Sequence, residues 1–342
     1  MAVIRDPLRG RERPAEASHS DARIIERLLE VGAESTVALT GAGMSTDSGI
    51  PDYRGPDASP RSPMTYQAFL AGPRQRSRYW ARSWVGWDRI EWAAPNAAHR
   101  SLAALRLAGT ITQNVDGLDR LAGVRNTVEL HGRLDRVLCL TCRRTFDRQW
   151  LQDELTALNP DFLGRIDVDP REIEVAPDGD AELEQTRGFH VRDCPQCGGL
   201  LKPDLVFFGE TVERHIVDRA MAMVDEADAL IVLGSSLAVM SGLRFVRAAR
   251  KKGALVVIDT DGPTRGDELA DMRSLSRTSD FLAAWAEAAG KTVDDVAGDP
   301  GEDVVDPVGG AAGTPADGAS GEAAHDASGE AVDEASRGVG SR

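Results

Sequence analysis

The chain is expected to fold as an α/β protein, a doubly wound parallel sheet with a smaller inserted module. Three observations predict this. Short, near-continuous apolar runs at Thr36–Thr40, Gly109–Thr112, Ala229–Leu233 and Ala254–Ile258 have the length and β-branched content of strands covered on both faces. Segments of helical period separate most of these runs, so successive strands are joined by crossovers and run parallel. The strand runs end in polar or glycine-rich clusters, and in such sheets ligands bind at the carboxyl ends of strands.

Residues 1–20, rich in Arg and carrying Pro7 and Pro14, are expected to form a flexible arm. Asp21 is placed to cap a helix over Ala22–Val31, whose Ile24, Ile25, Leu28 and Leu29 recur at helical spacing, and Gly32 ends it. The first strand follows. Its Gly41-Ala42-Gly43 turn leads to Ser45 and Thr46, where a helix can start. Strand, turn and helix N-terminus would then offer backbone N–H groups to a phosphate. The usual dinucleotide fingerprint is incomplete. Thr46 stands in place of its third glycine, and no carboxylate lies between Ser59 and Gln67 to hold a ribose. A dehydrogenase-type mode is not supported.

Residues 56–95 leave the sheet pattern. Pro56, Pro60 and Pro63 break the chain, and short helical patterns carry Tyr66, Phe69, Tyr79, Trp80, Trp84, Trp87 and Trp92, expected as a helical cover over the glycine turn. A helix from Asn96 through Leu107 precedes the second strand, which ends at Gln113-Asn114-Val115-Asp116-Gly117. A third run, Thr127–Leu130, ends at His131-Gly132. Residues 133–205 form a small module with little apolar periodicity between its cysteine pairs. Helices over Val212–Asp225, from Leu237 to about Lys252, and over Asp280–Ala289 complete the large domain (21–55, 96–132 and 206–290). Beyond residue 290 the Gly, Ala, Asp and Ser content predicts a disordered tail.

The net charge of −15 belongs mainly to that tail, where Asp294 to Arg342 hold twelve acidic residues and two arginines. The rest of the chain is only mildly acidic, which gives nucleic-acid binding no support. Residues 1–20 lack an apolar signal-peptide core, and no apolar run approaches the ~18 residues of a membrane span. A cytoplasmic location is therefore expected, and the four cysteines are read in a reducing setting.

Those four form two knuckles, Cys139-Leu-Thr-Cys142 and Cys194-Pro-Gln-Cys197. Four thiolates are what a closed tetrahedral zinc site requires, and none is left open for catalysis. The intervening residues 143–193 exceed the ~15–20 of compact ribbons, so an inserted loop is expected. The alternatives are a redox dithiol, which needs only one pair, or two unrelated reduced pairs. Gly198-Gly199 permits the tight turn after the second knuckle.

Taken together, the motifs resemble the sirtuin family of NAD-dependent protein deacylases over roughly residues 22–290. The resemblance rests on Gly41-Ala42-Gly43-Met44-Ser45-Thr46-Asp47-Ser48-Gly49-Ile50-Pro51-Asp52-Tyr53-Arg54-Gly55, on Thr112 to Gly117, on Leu130-His131-Gly132, on the paired knuckles, on Lys202 to Glu210, and on Gly234-Ser235-Ser236-Leu237. The long insertion, the Tyr79 to Trp87 stretch and Gly262-Pro263-Thr264-Arg265 resemble the class II branch. What the resemblance implies is a Rossmann-type domain and a zinc-bearing module with NAD bound between them. It implies lysine deacylation with release of nicotinamide and O-acyl-ADP-ribose. A protein mono-ADP-ribosyltransferase, or a non-catalytic zinc-ribbon interaction module, are the alternatives.

Residue by residue, the family likeness implies His131 as the base, with Asn114 and Asp116 also catalytic. A histidine at a strand end can equally hold a structural hydrogen bond. Gly41, Ala42, Gly43 and Ser45 are implied at the phosphates, with Met44, Thr46 and Asp47 also at the cofactor and Pro51, Asp52, Tyr53 and Arg54 on the cofactor loop. Gln113, Asn114, Val115 and Asp116 would hold the nicotinamide and its ribose. Gly234, Ser235 and Ser236 would contact phosphate and the adenosine ribose. Thr260 takes the place of the family's ribose asparagine, flanked by Asp259 and Asp261, then Gly262; Thr278 is implied near the adenine. Val206, Phe207 and Gly209 resemble the strand that pairs with an acylated-lysine peptide. Cys139, Cys142, Cys194 and Cys197 are implied as ligands of one structural zinc. Asp119 stands where the family commonly has a histidine, so a local contact is expected to be lost. Tyr79 and Arg82 have the spacing of a pair that reads acidic acyl groups in another branch, but they lie inside the class II pattern, so acidic acyl specificity is not expected.

Overall fold

The computed structural model describes residues 18–53, 63–166 and 173–292. Most of the expected N-terminal arm, Arg54 and nearly all of the acidic tail lie outside the described residues. Among the described residues no helix is long and apolar enough to cross a membrane.

Six strands form the parallel sheet: β1 (Thr36–Thr40), β2 (Gly109–Thr112), β3 (Thr127–Glu129), β7 (Ala229–Leu233), β8 (Leu255–Asp259) and β9 (Met272–Ser274). Their order is β3-β2-β1-β7-β8-β9, so the winding reverses between β1 and β7. Thr36 to Thr40 pair in register with Ala229 to Leu233. All residues of β1 and β7 are buried, as the uninterrupted apolar runs require. Val37 and Leu39 face a core with Val224 of α7 (Arg214–Glu226) and Phe245 of α8 (Met240–Lys252). Ala38 between them faces the opposite core, with Leu28 of α1 (Asp21–Val31), Leu102 of α4 (Ala97–Leu105) and Trp285 of α9 (Thr278–Ala288). The period-2 alternation of a strand therefore feeds two helix layers.

Several boundaries differ from expectation. Ser20, not Asp21, caps α1, accepting from Arg23 N at 3.4 Å, and Asp21 is instead bonded by the Ser276 hydroxyl. After Gly43 there is no α-helix but two short 3-10 turns, Ala42–Met44 and Thr46–Ser48. Gly49 in the left-handed region (φ +82°) and Pro51, which disfavours helical backbone at Ile50, leave no room to propagate one. A helix dipole therefore does not act here. Ser18 pairs with Arg273 of β9 through both backbone and hydroxyl, tying down the end of the arm.

A second, antiparallel sheet holds β5-β4-β6: β4 is Gly132–Cys139, β5 Thr145–Asp147 and β6 Leu201–Leu205. It shares one core with α2 (Tyr66–Leu70), α3 (Pro73–Glu91) and α6 (Arg148–Leu158). The residue 64–92 helices therefore pack into the cysteine-bearing module rather than only over the glycine turn. At the centre, the fully buried Arg148 guanidinium lies 4.6 Å from the Trp87 ring centre and 5.6 Å from that of Trp80. Burial lowers its pKa to about 10, which leaves the cation–π contact charged at neutral pH. Trp84 Nε1 donates to Thr156 and Trp87 Nε1 to Gln149, joining α3 to α6. Among these aromatics Trp92 alone is largely exposed.

Candidate active site at the sheet switch point

Because β1 and β7 are neighbours with connections leaving in opposite directions, a crevice opens at their carboxyl ends. The loops after them interlock. Gly41 N donates to Leu233 O at 3.0 Å and Gly43 N to Gly234 O at 2.9 Å. A Cβ on Gly43 would lie 2.8 Å from Gly234 Cα, and one on Gly41 2.6 Å from Ser235 Cβ. These glycines are thus required for backbone-to-backbone contact, a tighter reason than access to a phosphate. Asn96, which caps α4, also donates to Met44 O at 2.7 Å and fixes the far end of the turn.

Around this seam lies a cleft of about 1300 Å³. Every described residue expected at the cofactor, from Gly41 to Asp47, Pro51 to Tyr53, Gln113 to Asp116, Gly234 to Ser236, Thr260 to Gly262 and Thr278, lines it, as do His131, Val206, Phe207 and Gly209. Residues spread over more than two hundred positions meet in one cavity. Asn114 is buried and donates to Gly41 O at 3.0 Å and Ser45 Oγ at 3.2 Å. Ser45 in turn donates to Asp116 Oδ2 at 2.7 Å, and Leu118 N donates to Oδ1 at 2.9 Å. Burial raises the Asp116 pKa, and these two hydrogen bonds oppose the rise.

His131 sits at the end of β3, its ring held from both sides. Nδ1 lies 3.0 Å from the Gln113 carbonyl and Nε2 2.9 Å from Ser241 Oγ. A carbonyl only accepts, so Nδ1 carries the hydrogen and donates it. In the neutral ring Nε2 is then the lone-pair nitrogen, accepting from Ser241. Burial lowers the His131 pKa, while the Gln113 carbonyl raises it. The ring is therefore neutral, and its lone-pair nitrogen, hydrogen-bonded by Ser241, lies on the cleft.

At the opposite end, Thr260 and Asp261 line the cleft but Asp259 does not. Strand alternation turns Asp259 inward, fully buried, with neither carboxylate oxygen hydrogen-bonded; it is not placed to receive a ribose hydroxyl. Burial raises its pKa from 3.8 to about 7, although the nearby Ser274 and Thr278 hydroxyls favour the charge. Between those values the folded chain keeps a proton that the unfolded chain has lost. Stability contributed by this group is thus highest below about pH 4, falls as pH rises to about 7, and is flat above. Asp259→Asn is expected to match the native chain near pH 4 and exceed its stability by on the order of 4 kcal/mol above pH 7. Denaturant unfolding at about pH 5 and pH 8 checks this; equal stability at both values refutes a buried protonated Asp259. Asp119 also makes a contact where one was expected lost, accepting from Thr40 Oγ1 at 3.1 Å.

Phe207 belongs to the core, packing on Phe69 and Tyr79, while also reaching the cleft wall. Glu210 Oε2 accepts from Phe207 N at 2.9 Å and from the buried Lys202 Nζ at 3.1 Å, which fixes the Val206–Gly209 segment. Val206 N donates to His131 O at 2.8 Å, so this segment and the histidine are held together. Tyr79 is buried and Arg82 pairs with Asp180 at 2.8 Å; neither lines the cleft.

The four cysteine sulfurs lie within 4.8 Å of one another, with Cys139–Cys197 at 3.6 Å and Cys142–Cys194 at 3.8 Å. Tetrahedral zinc with bonds of ~2.3 Å separates its sulfurs by about 3.8 Å, so the set fits a structural Zn²⁺. None of the four is in a disulfide. A Cβ on Gly199 would lie 2.4 Å from Thr141 Oγ1 and 3.0 Å from Cys139 Sγ, so glycine is required where the knuckles meet.

Sequence reasoning missed Ser241, Asn96 and the Glu174–Asp178 turn, from which Glu174, Val175, Pro177 and Asp178 line the cleft. No local motif marks any of them. Ser241 lies 110 positions from the histidine it touches.

Fold and site together define an α/β protein with a switch-point cleft, a histidine on its wall and a module whose four clustered cysteines fit a metal. The model of the Sir2 family matches residues 41–241. NAD-dependent protein deacetylase 1 of Mycobacterium avium is 49% identical over 266 residues, covering 77% of this chain and 94% of the relative. Its counterpart in Streptomyces coelicolor is 48% identical over 273 residues, covering 78% and 89%. The solved structure of a Sir2–p53 peptide–NAD+ complex aligns with TM-score 0.62 at 27% identity, over 80% of this chain and 99% of that one. Another, Sir2 with an inhibitor, 2'-O-acetyl-ADP-ribose and deacetylated p53 peptide, aligns with TM-score 0.59 at 27% identity, over 78% and 99%. The chain belongs to the Sir2 family.

Proposed function

We propose that this chain is an NAD-dependent protein lysine deacylase, with deacetylation as its default activity. The observation that carries the reading is His131: a neutral ring whose tautomer places the basic nitrogen on a cleft lined by both the glycine turn and the Val206–Gly209 segment. Relatives of close to half identity are NAD-dependent protein deacetylases, and structural neighbours hold NAD, acetyl-ADP-ribose and a peptide.

When bound, NAD supplies an electrophilic ribose carbon with nicotinamide as the leaving group. The cradle for it fits on physical grounds. Gly41 to Ser45 and Gly234 to Ser236 form a seam open to the cleft at the switch point, where α/β sheets take nucleotides. Asn114 and Asp116, braced by Ser45, orient the nicotinamide end, and Gln113 lies beside them. Thr260, Asp261, Gly262 and Thr278 receive the adenosine end. His131 Nε2 takes a proton from a substrate hydroxyl, and its depressed basicity lets it return that proton near neutral pH. Val206, Phe207 and Gly209 pair with the backbone of an acylated-lysine peptide. Tyr53, whose ring meets Phe208 edge-on at 6.0 Å, closes the reacting end against water. A cytoplasmic site of action accords with four thiols that must stay reduced to hold zinc.

A panel of acyl-lysine peptides incubated with NAD and the protein is expected to release nicotinamide and yield O-acyl-ADP-ribose. No release from any peptide overturns the reading. Transfer of label from NAD onto protein without O-acyl-ADP-ribose replaces it with mono-ADP-ribosyl transfer.

A further inference from the structure

We propose that Ser241 is the positioning residue of the His131 base: its hydroxyl donates to Nε2 while the ring is neutral, turns its hydrogen away to free that lone pair for the incoming proton, and then accepts from Nε2–H. The use of that proton rests on the deacylase reading; the contact itself does not.

Three observations carry the inference. Ser241 Oγ lies 2.9 Å from Nε2, while the Gln113 carbonyl occupies Nδ1 at 3.0 Å, so each ring nitrogen has one partner. The approach that permits this depends on the next residue. A Cβ on Gly242 would lie 2.7 Å from Gln113 Nε2, so glycine lets α8 dock directly on the Gln113 side chain. That side chain is itself fixed, its Oε1 accepting from Ser235 Oγ at 2.6 Å. Finally, Ser241 is the second residue of α8, past the N-cap Val239, and the helix has no side-chain cap bond, so the serine hydroxyl takes no part in capping. The Ser241 hydroxyl is spent on the histidine instead.

The chemistry favours a hydroxyl at this place. It can donate to a lone pair and accept from an N–H, whereas a carboxylate only accepts and would hold the ring charged. Burial and the positive end of α8 both disfavour the imidazolium. A side chain that turns to meet the new proton offsets part of that penalty at the moment the base acts. Charged groups on the elements packed against the ring are Asp116 beyond Gln113, Glu210 beyond the Val206 segment and Arg244 on α8, all of which line the same cleft.

Nitrogen-15 NMR of the histidine rings in the NAD-free protein reads the contact without turnover. In Ser241→Ala the His131 resonances are expected to keep the Nδ1–H tautomer, shift at Nε2 and titrate at lower pH, because the imidazolium loses a charge-assisted bond about twice as strong as the neutral one. The kcat for deacylation is expected to fall about tenfold with KM for NAD unchanged, a share of the ~10²–10⁴ that a general base supplies. Ser241→Thr, which keeps the hydroxyl, is expected to restore both readouts. An unaltered His131 titration in Ser241→Ala overturns the proposal, as does a raised KM with unchanged kcat, the mark of a plain binding contact. If the native protein deacylates nothing, the deacylase reading falls, yet the titration still decides the Ser241–His131 bond.

Discussion

His131→Ala is expected to lower the rate of deacylation by roughly 10²–10⁴-fold while the protein remains folded. The ring lies at the end of an edge strand and is held by the Gln113 carbonyl and the Ser241 hydroxyl. Its removal deletes the neutral nitrogen facing the cleft and leaves the glycine seam untouched, so NAD binding should survive. Product formation from an acyl peptide, measured beside NAD binding by calorimetry, separates the two. A variant that deacylates at the native rate removes His131 from the proton-accepting role.

Stripping the metal has the larger structural effect. Zinc bound by four thiolates contributes on the order of 10–16 kcal/mol of apparent folding free energy in small modules, comparable to or greater than the ~5–15 kcal/mol that holds a whole domain. Here Cys139 ends β4 and its side chain belongs to the core that contains Trp80, Leu151 and Leu155. Chelation, or Cys142→Ser, is therefore expected to melt the three-stranded sheet and its helices, with loss of the near-ultraviolet tryptophan signal and of activity. The parallel sheet keeps its own two cores and should retain far-ultraviolet structure. Unchanged melting after stoichiometric metal removal sinks the structural-zinc assignment.

The parallel sheet was readable because its inner strands are buried on both faces and so spell continuous apolar runs. β1, β2 and β7 match the predicted bounds, and β8 differs by one residue. β9, three residues with an arginine at its centre, carries no such signal. α6 was missed for a related reason: only Leu151 and Leu155 of its apolar residues are buried, and its other buried residues, Arg148 and Gln152, are cationic or polar. The helix expected after Gly43 was misjudged because starting residues were weighed without Pro51. The cleft was legible as motifs at strand ends, since topology alone brings those ends together. What stayed hidden was long-range side-chain pairing: the Ser241–His131 bond, the Asn96 brace and the inward turn of Asp259 all depend on how separate elements dock.

The core shared by α3 and α6 has a bearing on how the chain is made. Trp80, Trp84 and Trp87 leave the sheet on one excursion, and their partners Gln149, Thr156 and Phe162 arrive on another after β2 and β3 have intervened. On the ribosome, a nascent chain that has just emerged through α3 presents three indoles with nothing to cover them until some seventy more residues, about the Trp84-to-Thr156 interval, have been added. Chaperone engagement should concentrate in that window, and slowing translation there should increase aggregation. The finished small module, assembled from two separate tracts, also cannot be excised as one contiguous fragment; a rearranged chain order would be needed to express it alone.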